Sequence, residues 1–337
     1  MATETKVKKI GMIQALNMAL HEAMSTDENV IVFGEDVADP EEGGIVGVTK
    51  GLSTKFGELR CRSTPISEQA IVGAAIGAAI MGMKPVAEIM LMNFTTVAMD
   101  MIVNHAAKLR FMSGGQTHVP LVIRTATGAG LSVGGQHADY YEAWFAHTPG
   151  IKVVMASTPA EAYGLLLSAI DDPDPVIFVE NTLLYFTQGE PPEAGKRIPL
   201  GVANVVRAGT DATLVCYGSH VAPSLAAAQK LEAEGISVEV IDLRTIAPWD
   251  KKTVLASVAK TGRAVVTHEA VKPFGVGAEI SSVIHEELFD QLQAPVQRVG
   301  APYCPVPYSK PLEVAFMQGA DAIEAAIRRT LQSRVAA

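Results

Sequence analysis

Short runs of apolar residues alternate with stretches of helical periodicity along almost the whole chain, and this alternation limits the folds that it can form. The runs are apolar throughout, which predicts strands buried on both faces. Such strands, each followed by a helix, are typical of a parallel sheet covered by helices, so the predicted fold class is α/β. The predicted strands cover residues 30–33, 85–90, 119–125, 151–156, 176–179, 212–217, 237–243, 263–268 and 296–299. One continuous helix is predicted over residues 94–112, between the second and third of these strands.

A break in this alternation divides the chain. Residues 188–200 read QGEPPEAGKRIPL, where proline, glycine and charged residues cluster and the periodicity disappears. Such a composition is typical of a linker between domains. The sequence therefore predicts a first α/β domain over residues 1–187 and a smaller α/β domain over residues 201–337.

Charge and composition exclude several classes of partner and location. The net charge is −9, and the sequence contains no block of basic residues that could bind a phosphate backbone. Nucleic acid is therefore not an expected partner. Residues 1–10 are polar, and the longest apolar run, residues 70–83, is shorter than the roughly 20 residues that cross a bilayer. Three widely spaced cysteines fit neither a zinc site nor a disulfide framework. We expect a cytoplasmic protein without a membrane span.

The apolar run 70–83 has the composition of a buried helix. Gly73 and Gly77 are four residues apart and share one face with small neighbours, so another backbone could approach closely there. Each glycine inside a helix costs about 1 kcal/mol relative to alanine. Close packing at a subunit or domain contact would offset that cost, and we expect this helix to lie in such a contact.

Two acidic residues follow short apolar segments. Glu35 comes directly after the strand at 30–33 and Gly34, and Glu68 ends the string TPISE just before the apolar helix. Open α/β sheets bind ligands at the carboxyl ends of their strands, so both acids are candidate site residues. Two simpler interpretations stay open at this point: a solvated loop acid for Glu35, and a first-turn acid that stabilises its helix for Glu68.

Several short strings occur in a fixed order along the chain: GEDV at 34–37, GVTKGL at 47–52, TPISE at 64–68, NF at 93–94, MSGG at 112–115, QH at 136–137, PGIKVV at 149–154 and VIDLRT at 240–245. Together they make the chain resemble one known family over nearly its whole length. It resembles the β subunit of the thiamine-diphosphate-dependent first component of acetoin and 2-oxo acid dehydrogenase complexes. That resemblance implies a pyrimidine-binding domain followed by a transketolase-type carboxy-terminal domain.

The resemblance also implies roles for individual residues. Glu68 matches the glutamate that hydrogen-bonds the aminopyrimidine ring of thiamine diphosphate, where its proton favours the imino tautomer and so promotes loss of the thiazolium proton. Phe94 matches the aromatic residue that stacks on the pyrimidine. Glu35 matches a second acid near the pyrimidine, which links the two active sites through a proton or water network.

His137 matches the family's active-site histidine, which hydrogen-bonds the intermediate or the incoming lipoyl group. It follows a glycine-rich loop, residues 128–135, that we expect to be mobile. Asp139 stands where the family frequently has serine, which affects the polarity of the pocket and hence the choice of substrate. Leu121, Ala169 and Asp172 match loops that hold a structural monovalent cation, such as K⁺, in relatives.

One family motif is missing from this chain. Thiamine diphosphate and its Mg²⁺ are anchored in the family by a Gly-Asp-Gly segment, and the sequence contains none. The resemblance therefore implies that a separate α subunit supplies this half of the site in an α2β2 heterotetramer. A lipoyl acyltransferase would accept the acyl fragment, since the chain has no lipoyl domain.

The resemblance leaves the substrate open. An enzyme subunit that acts on acetoin, or on a related small α-hydroxyketone or 2-oxo acid, is the main interpretation, because GGIVGVTK at 43–50 and LVIRT at 121–125 are most similar to acetoin dehydrogenase β chains. A pyruvate or branched-chain 2-oxo acid dehydrogenase β subunit is the alternative. A noncatalytic assembly subunit and a self-sufficient thiamine enzyme are further alternatives. The presence of all four matched site residues, Glu35, Glu68, Phe94 and His137, argues against a noncatalytic subunit. The missing Gly-Asp-Gly segment argues against a self-sufficient enzyme.

Overall fold

Two α/β units, each with its own sheet, make up residues 9–332, which the computed structural model describes. The first unit contains residues up to Ala126 and Thr148–Leu200, and the second contains Thr127–His147 and the residues from Gly201 onward. This division differs from the predicted domains in two ways. The segment predicted as a linker belongs with the first unit, and Thr127–His147 belongs with the second. The outermost residues of the predicted polar amino terminus, 1–8, lie outside the described residues.

The first unit is built on a parallel sheet with strand order β6-β7-β5-β4-β2-β3. The pairs β2–β3, β2–β4, β4–β5 and β6–β7 are parallel, as the continuous apolar runs predict. Helices α1 and α6 pack against each other, and their leucines join strand residues in one buried core. The elements are β1 (Ile10–Gly11), α1 (Met12–Thr26), β2 (Val30–Gly34), α2 (Leu52–Phe56), β3 (Cys61–Ser63), α3 (Glu68–Ile80), β4 (Lys84–Leu91), α4 (Leu109–Met112), β5 (Val122–Thr127), β6 (Lys152–Met155), α6 (Pro159–Asp171), β7 (Val176–Asn181) and β8 (Gln188–Gly189).

The segment predicted as a linker is structured at its start. β8 pairs with β1 in an antiparallel ribbon, with Ile10 opposite Gly189. Further along, Ile198 and Leu200 pack against the core of the first unit. Proline and glycine therefore mark an irregular segment here, but one whose apolar side chains are still partly buried.

The second unit has a five-stranded sheet with the order β14-β13-β10-β11-β9. Its pairs are parallel except at one edge, where β9 runs antiparallel to β11. The elements are α5 (Glu142–Ala146), β9 (Asn204–Arg207), β10 (Ala212–Cys216), α7 (Val221–Glu232), β11 (Val238–Asp242), β12 (Thr245–Ala247), α8 (Lys251–Thr261), β13 (Ala264–Val271), α9 (Val276–Leu288), β14 (Gln297–Ala301), α10 (Lys310–Phe316) and α11 (Ala320–Gln332). The predicted α/β fold class is confirmed.

None of the helices formed by residues 9–332 combines the length and the apolar character that crossing a membrane requires.

Candidate functional site

Three of the predicted site residues follow neighbouring strands of the first sheet. Glu35 comes directly after β2, Glu68 begins α3 after β3, and Phe94 lies in a 3₁₀ turn, Met92–Thr96, after β4. Because β3, β2 and β4 are adjacent and parallel, their carboxyl ends share one edge of the sheet. The structure therefore brings Glu35, Glu68 and Phe94 to the same edge, where ligands of open α/β sheets bind.

Glu35 is a buried acid with an unused hydrogen-bonding atom. Its side chain is 7% exposed, and its Oε1 has no hydrogen-bond partner among residues 9–332. Burial raises the pKa of Glu35 above its usual value, and the negative charges of Glu68, Asp36 and Glu88 raise that pKa further. An orphaned carboxylate oxygen that retains a proton more readily than usual is suited to bonding a ligand from outside the chain.

The backbone before Glu35 depends on a close approach of two strands. A Cβ at Gly34 would lie 2.5 Å from the carbonyl oxygen of Glu88, its partner in β4. Glycine is therefore required at the end of β2. The close contact with β4 fixes the position of the backbone from which the turn to Glu35 begins.

Glu68 is the first residue of α3 and is 8% exposed. A carboxylate in the first turn interacts favourably with the helix dipole, so the simpler helix-stabilising role remains consistent with this position. The residues that follow it toward the core, Ile71 and Val72, are buried and apolar. Glu68 thus lies at the polar amino end of α3, and the next turn of the helix is buried and apolar.

The turn that carries Phe94 is fixed by side-chain bonds to its own backbone. The Thr95 hydroxyl donates to the carbonyl of Met92 at 2.6 Å, and the Thr96 hydroxyl donates to the carbonyl of Asn93 at 2.7 Å. The Phe94 ring is half-buried, so part of it remains accessible at the edge of the sheet. The continuous helix predicted from 94 to 112 is wrong: this 3₁₀ turn, a π-helix (Met101–Ala106) and the short α4 replace it.

A buried ion network lies across the middle of the same sheet, and sequence reasoning missed it. Arg124 donates through Nε and Nη2 to Glu180, at 2.7 and 2.8 Å, and through Nη1 to Glu88 at 2.6 Å. The Tyr185 hydroxyl donates to Glu180 at 2.5 Å. Burial raises the pKa of Glu88, while the charge of Arg124 opposes that rise. The available signal was a charged residue inside each of three apolar strands, at positions 88, 124 and 180.

His137 belongs to the second unit, in the segment 127–147. Its side chain is half-buried, and the next residue, Ala138, is fully buried. Asp139 is also half-buried, and its backbone carbonyl accepts a hydrogen bond from the Thr127 hydroxyl at 2.7 Å. His137 and Asp139 therefore belong to the local structure of the second unit, whereas Glu35, Glu68 and Phe94 belong to the first.

A further acid of this segment was not predicted. Glu142 is fully buried, and the Tyr217 hydroxyl donates to its Oε1 at 2.8 Å. Its Oε2 has no hydrogen-bond partner among the described residues. Burial raises the pKa of Glu142 to about 7, although the bond from Tyr217 lowers it. This carboxyl therefore changes charge near neutral pH.

The residues matched to a monovalent-cation site already make bonds within the protein. The Leu121 carbonyl accepts from the backbone N–H of Val176 at 2.9 Å, and the Ala169 carbonyl accepts from that of Asp172 at 3.4 Å. The Lys152 ammonium lies 2.7 Å from the Asp172 carboxylate. Within residues 9–332 there is no cluster of three or more histidine, cysteine or acidic side chains that could hold a metal ion.

Two domain models match most of the chain. The model of the transketolase pyrimidine-binding domain matches residues 8–187, and that of the transketolase C-terminal domain matches residues 201–323. A split-gene transketolase described as an inactive β4 tetramer has a TM-score of 0.78 and 22% identity, covering 97% of this chain and all of that one. A Pichia stipitis transketolase mutant has a TM-score of 0.70 and 17% identity, and this chain spans 47% of it. These structures show the fold.

Closer relatives are found among bacterial dehydrogenase subunits. The acetoin:2,6-dichlorophenolindophenol oxidoreductase subunit beta of Cupriavidus necator is 45% identical over 333 residues, covering 96% of this chain and 98% of that protein. The pyruvate dehydrogenase E1 component subunit beta of Bacillus subtilis is 45% identical over 323 residues, covering 95% and 98%. The chain therefore belongs to the family of transketolase-like β subunits found in acetoin oxidoreductases and pyruvate dehydrogenase E1 components.

Proposed function

We propose that this chain is the β subunit of a thiamine-diphosphate-dependent dehydrogenase component that cleaves acetoin, or a related small α-hydroxyketone or 2-oxo acid, and transfers the acyl fragment to lipoamide. The observation that carries the proposal is the set Glu35, Glu68 and Phe94 at one edge of the first sheet. Two buried acids and a partly accessible aromatic ring at one edge of the sheet suit the polar edge and the flat face of a pyrimidine.

The residues present fit the cofactor's pyrimidine half. Glu68 would hold a proton at a ring nitrogen, Phe94 would pack on the ring, and the orphaned Oε1 of Glu35 would take part in a neighbouring hydrogen bond. The chemistry that thiamine diphosphate supplies when bound is a carbon nucleophile for the substrate carbonyl. His137 would move a proton during cleavage or transfer to the lipoyl group.

We propose that the other half of the site comes from an α subunit in an α2β2 heterotetramer. The sequence contains no Gly-Asp-Gly, so the Mg²⁺ and diphosphate ligands would belong to that subunit. A lipoyl acyltransferase would be the acceptor protein. A monovalent cation such as K⁺, if bound near Leu121, Ala169 and Asp172, would be held by backbone oxygens, because Lys152 already pairs with the carboxylate of Asp172.

Acetoin is the proposed substrate, with pyruvate or a branched-chain 2-oxo acid as the alternative. Close relatives carry both acetoin and pyruvate names at 41–45% identity, so overall similarity does not separate them. Asp139 is half-buried two residues after His137, and we propose that it makes the pocket more polar than serine would. The cytoplasm is the proposed location, which is supported by a cysteine content of only three residues, widely spaced in the sequence.

The experiment that tests the proposal is exchange of the thiazolium C2 proton in the complex reconstituted with an α subunit. Glu68→Gln keeps the shape of the side chain but removes its carboxyl proton, so we expect exchange to slow about 10²- to 10⁴-fold with near-normal cofactor affinity. Glu287→Gln, on an exposed face of α9, is the matched control and should exchange at the wild-type rate. Wild-type exchange in Glu68→Gln would contradict the assigned role and favour a noncatalytic subunit or a helix-stabilising acid.

A further inference from the structure

The glycine-rich segment before His137 is held by a buried carboxylate from far along the chain. Glu313, on α10, is 1% exposed. It accepts hydrogen bonds from the backbone N–H of Gly130 at 2.6 Å and from that of Ser132 at 3.0 and 3.1 Å. The Ser132 hydroxyl donates to the same carboxylate at 3.0 Å. One side chain thus fixes two residues of the loop through three donors.

A second buried carboxylate holds the segment on both sides of His137. Glu269, near the end of β13, accepts from the backbone N–H of Ala129 at 2.7 Å and from the Tyr140 hydroxyl at 3.1 Å. The Ser219 hydroxyl donates to it at 2.5 Å. Because Ala129 precedes His137 and Tyr140 follows it, Glu269 sets the distance between the two ends of the loop.

Apolar packing acts at the same positions. Ala129 and Ala138 are buried in a small cluster with Ala301, Val306 and Phe316. A Cβ at Gly134 would lie 3.2 Å from Tyr308, and one at Gly135 would lie 3.0 Å from Pro305. The glycines therefore allow the loop to approach Pro305 and Tyr308 of the same unit closely. Glycine content alone predicts mobility, whereas these contacts favour a fixed loop.

We propose that Glu313 and Glu269 are positioning residues for His137, fixing residues 128–140 so that the imidazole is presented in one orientation. The inference rests on the proposed function for the role of His137. Charge-assisted hydrogen bonds from backbone N–H groups are strong and directional, and their loss would let the loop shift. A shift of about 1 Å in a catalytic group can reduce a rate about 10²-fold.

The first test measures the loop itself, without cofactor or substrate. In Glu313→Ala we expect the amide hydrogens of Gly130 and Ser132 to exchange at least about tenfold faster than in the wild-type chain. Glu313→Gln keeps an acceptor for the backbone N–H groups and can donate to the Ser132 hydroxyl, so it should restore most of the protection. Glu287→Ala, on an exposed face of α9, is the control and should leave both amides unchanged.

The second test separates positioning from general damage. In the reconstituted complex, Glu313→Ala should slow acyl transfer to lipoamide by about 10- to 100-fold, with Glu313→Gln in between. Exchange of the thiazolium proton, which depends on Glu68, should stay within about twofold of wild type. If Glu313→Ala does not fold, two milder variants allow the same comparison of acyl transfer with thiazolium exchange. These are Glu313→Gln and Ser132→Gly, the second of which loses only the hydrogen bond from the Ser132 hydroxyl to Glu313.

Two results would overturn the inference: unchanged protection of Gly130 and Ser132 in Glu313→Ala, or faster amide exchange with a wild-type transfer rate. A failure of the proposed function would look different. In that case the wild-type complex itself would show no thiazolium exchange, while the amide measurement would still decide whether the carboxylates hold the loop.

Discussion

At the scale of single residues, what a buried acid does depends on what surrounds each of its oxygens. Glu180 is bonded by Arg124 and Tyr185, and Glu313 by backbone N–H groups, so both are fully engaged as acceptors. Glu35 and Glu142 each keep an oxygen without a partner among the described residues, and burial raises the pKa of both. Acids of the first kind stabilise structure, and acids of the second kind can exchange protons.

The network around Arg124 makes a prediction about stability. Arg124→Met would leave Glu88 and Glu180 buried without their cation, and breaking a buried pair in this way typically costs about 3–5 kcal/mol. Arg110→Met is the matched control, because Arg110 bonds Asp174 at 2.7 Å but is exposed, so its loss should cost less than about 1 kcal/mol. Urea unfolding of the two variants measures the difference. Equal losses would contradict the importance of the buried network.

Glu142 makes a prediction about pH. Its pKa is about 7 in the folded chain against an ordinary value of 4.5, so between these pH values the folded state retains a proton that the unfolded state loses. The contribution of Glu142 to stability therefore falls as pH rises through this window. Glu142→Gln cannot ionise and can still accept from Tyr217, so its unfolding free energy relative to wild type should rise by about 2–3 kcal/mol between pH 4.5 and 8.

Unfolding by urea at several pH values measures this dependence. Other buried titrating groups, such as His220 and His268, are the same in both proteins and cancel in the comparison. Glu287→Gln, exposed in α9, should show no such trend. A difference between Glu142→Gln and wild type that stays constant with pH would show that Glu142 does not titrate near neutrality.

At the scale of elements, α3 carries the clearest unexplained feature of the first unit. Its Gly77 is exposed, and a Cβ built there would meet nothing within 4 Å. Packing within the chain therefore gives no reason for a glycine at this position. A groove of about 620 Å³ lies beside the same helix, lined by small and apolar residues that include Ala70, Ala74 and Leu59. Both observations support the expectation that α3 lies in a subunit contact.

Gly77→Leu tests that expectation. Leucine has a higher helix propensity than glycine, and the site is open in the single chain, so the thermal midpoint of the isolated chain should not fall. Assembly with the α subunit should weaken, because a close backbone approach would be blocked. Sedimentation velocity measures assembly, and Gly77→Ala provides a smaller change at the same site. Wild-type assembly of Gly77→Leu would show that α3 lies outside the contact.

The strands were more predictable from the sequence than the irregular elements. The apolar runs at 85–90 and 176–179 lie inside β4 and β7, because a strand buried on both faces leaves a continuous apolar signal. The antiparallel edge strand β9 has half-buried and exposed residues and no such signal, so it was missed. The region after β4 was predicted as one helix, but 3₁₀ and π turns have no distinctive periodicity.

At the scale of the whole chain, the ordered sequence strings identified the family and the residues of the candidate site. They did not identify the contacts that hold those residues in place. Glu35 was found because it follows a recognisable apolar strand, and Glu68 because the string that it ends precedes an apolar helix. The bonds of Glu269 and Glu313 to the loop before His137 join residues more than a hundred positions apart, and no local pattern predicts such a contact. The same distance in sequence hid the membership of residues 127–147 in the second unit.

The most direct test of the central claim, that this chain holds half of a thiamine site, is calorimetric titration with thiamine diphosphate and Mg²⁺. We expect no binding at micromolar cofactor to the isolated chain, because its sequence contains no Gly-Asp-Gly segment to hold the diphosphate and Mg²⁺. Once an α subunit is added, we expect binding and turnover of acetoin or a 2-oxo acid. Micromolar binding and turnover by the chain alone would contradict the claim.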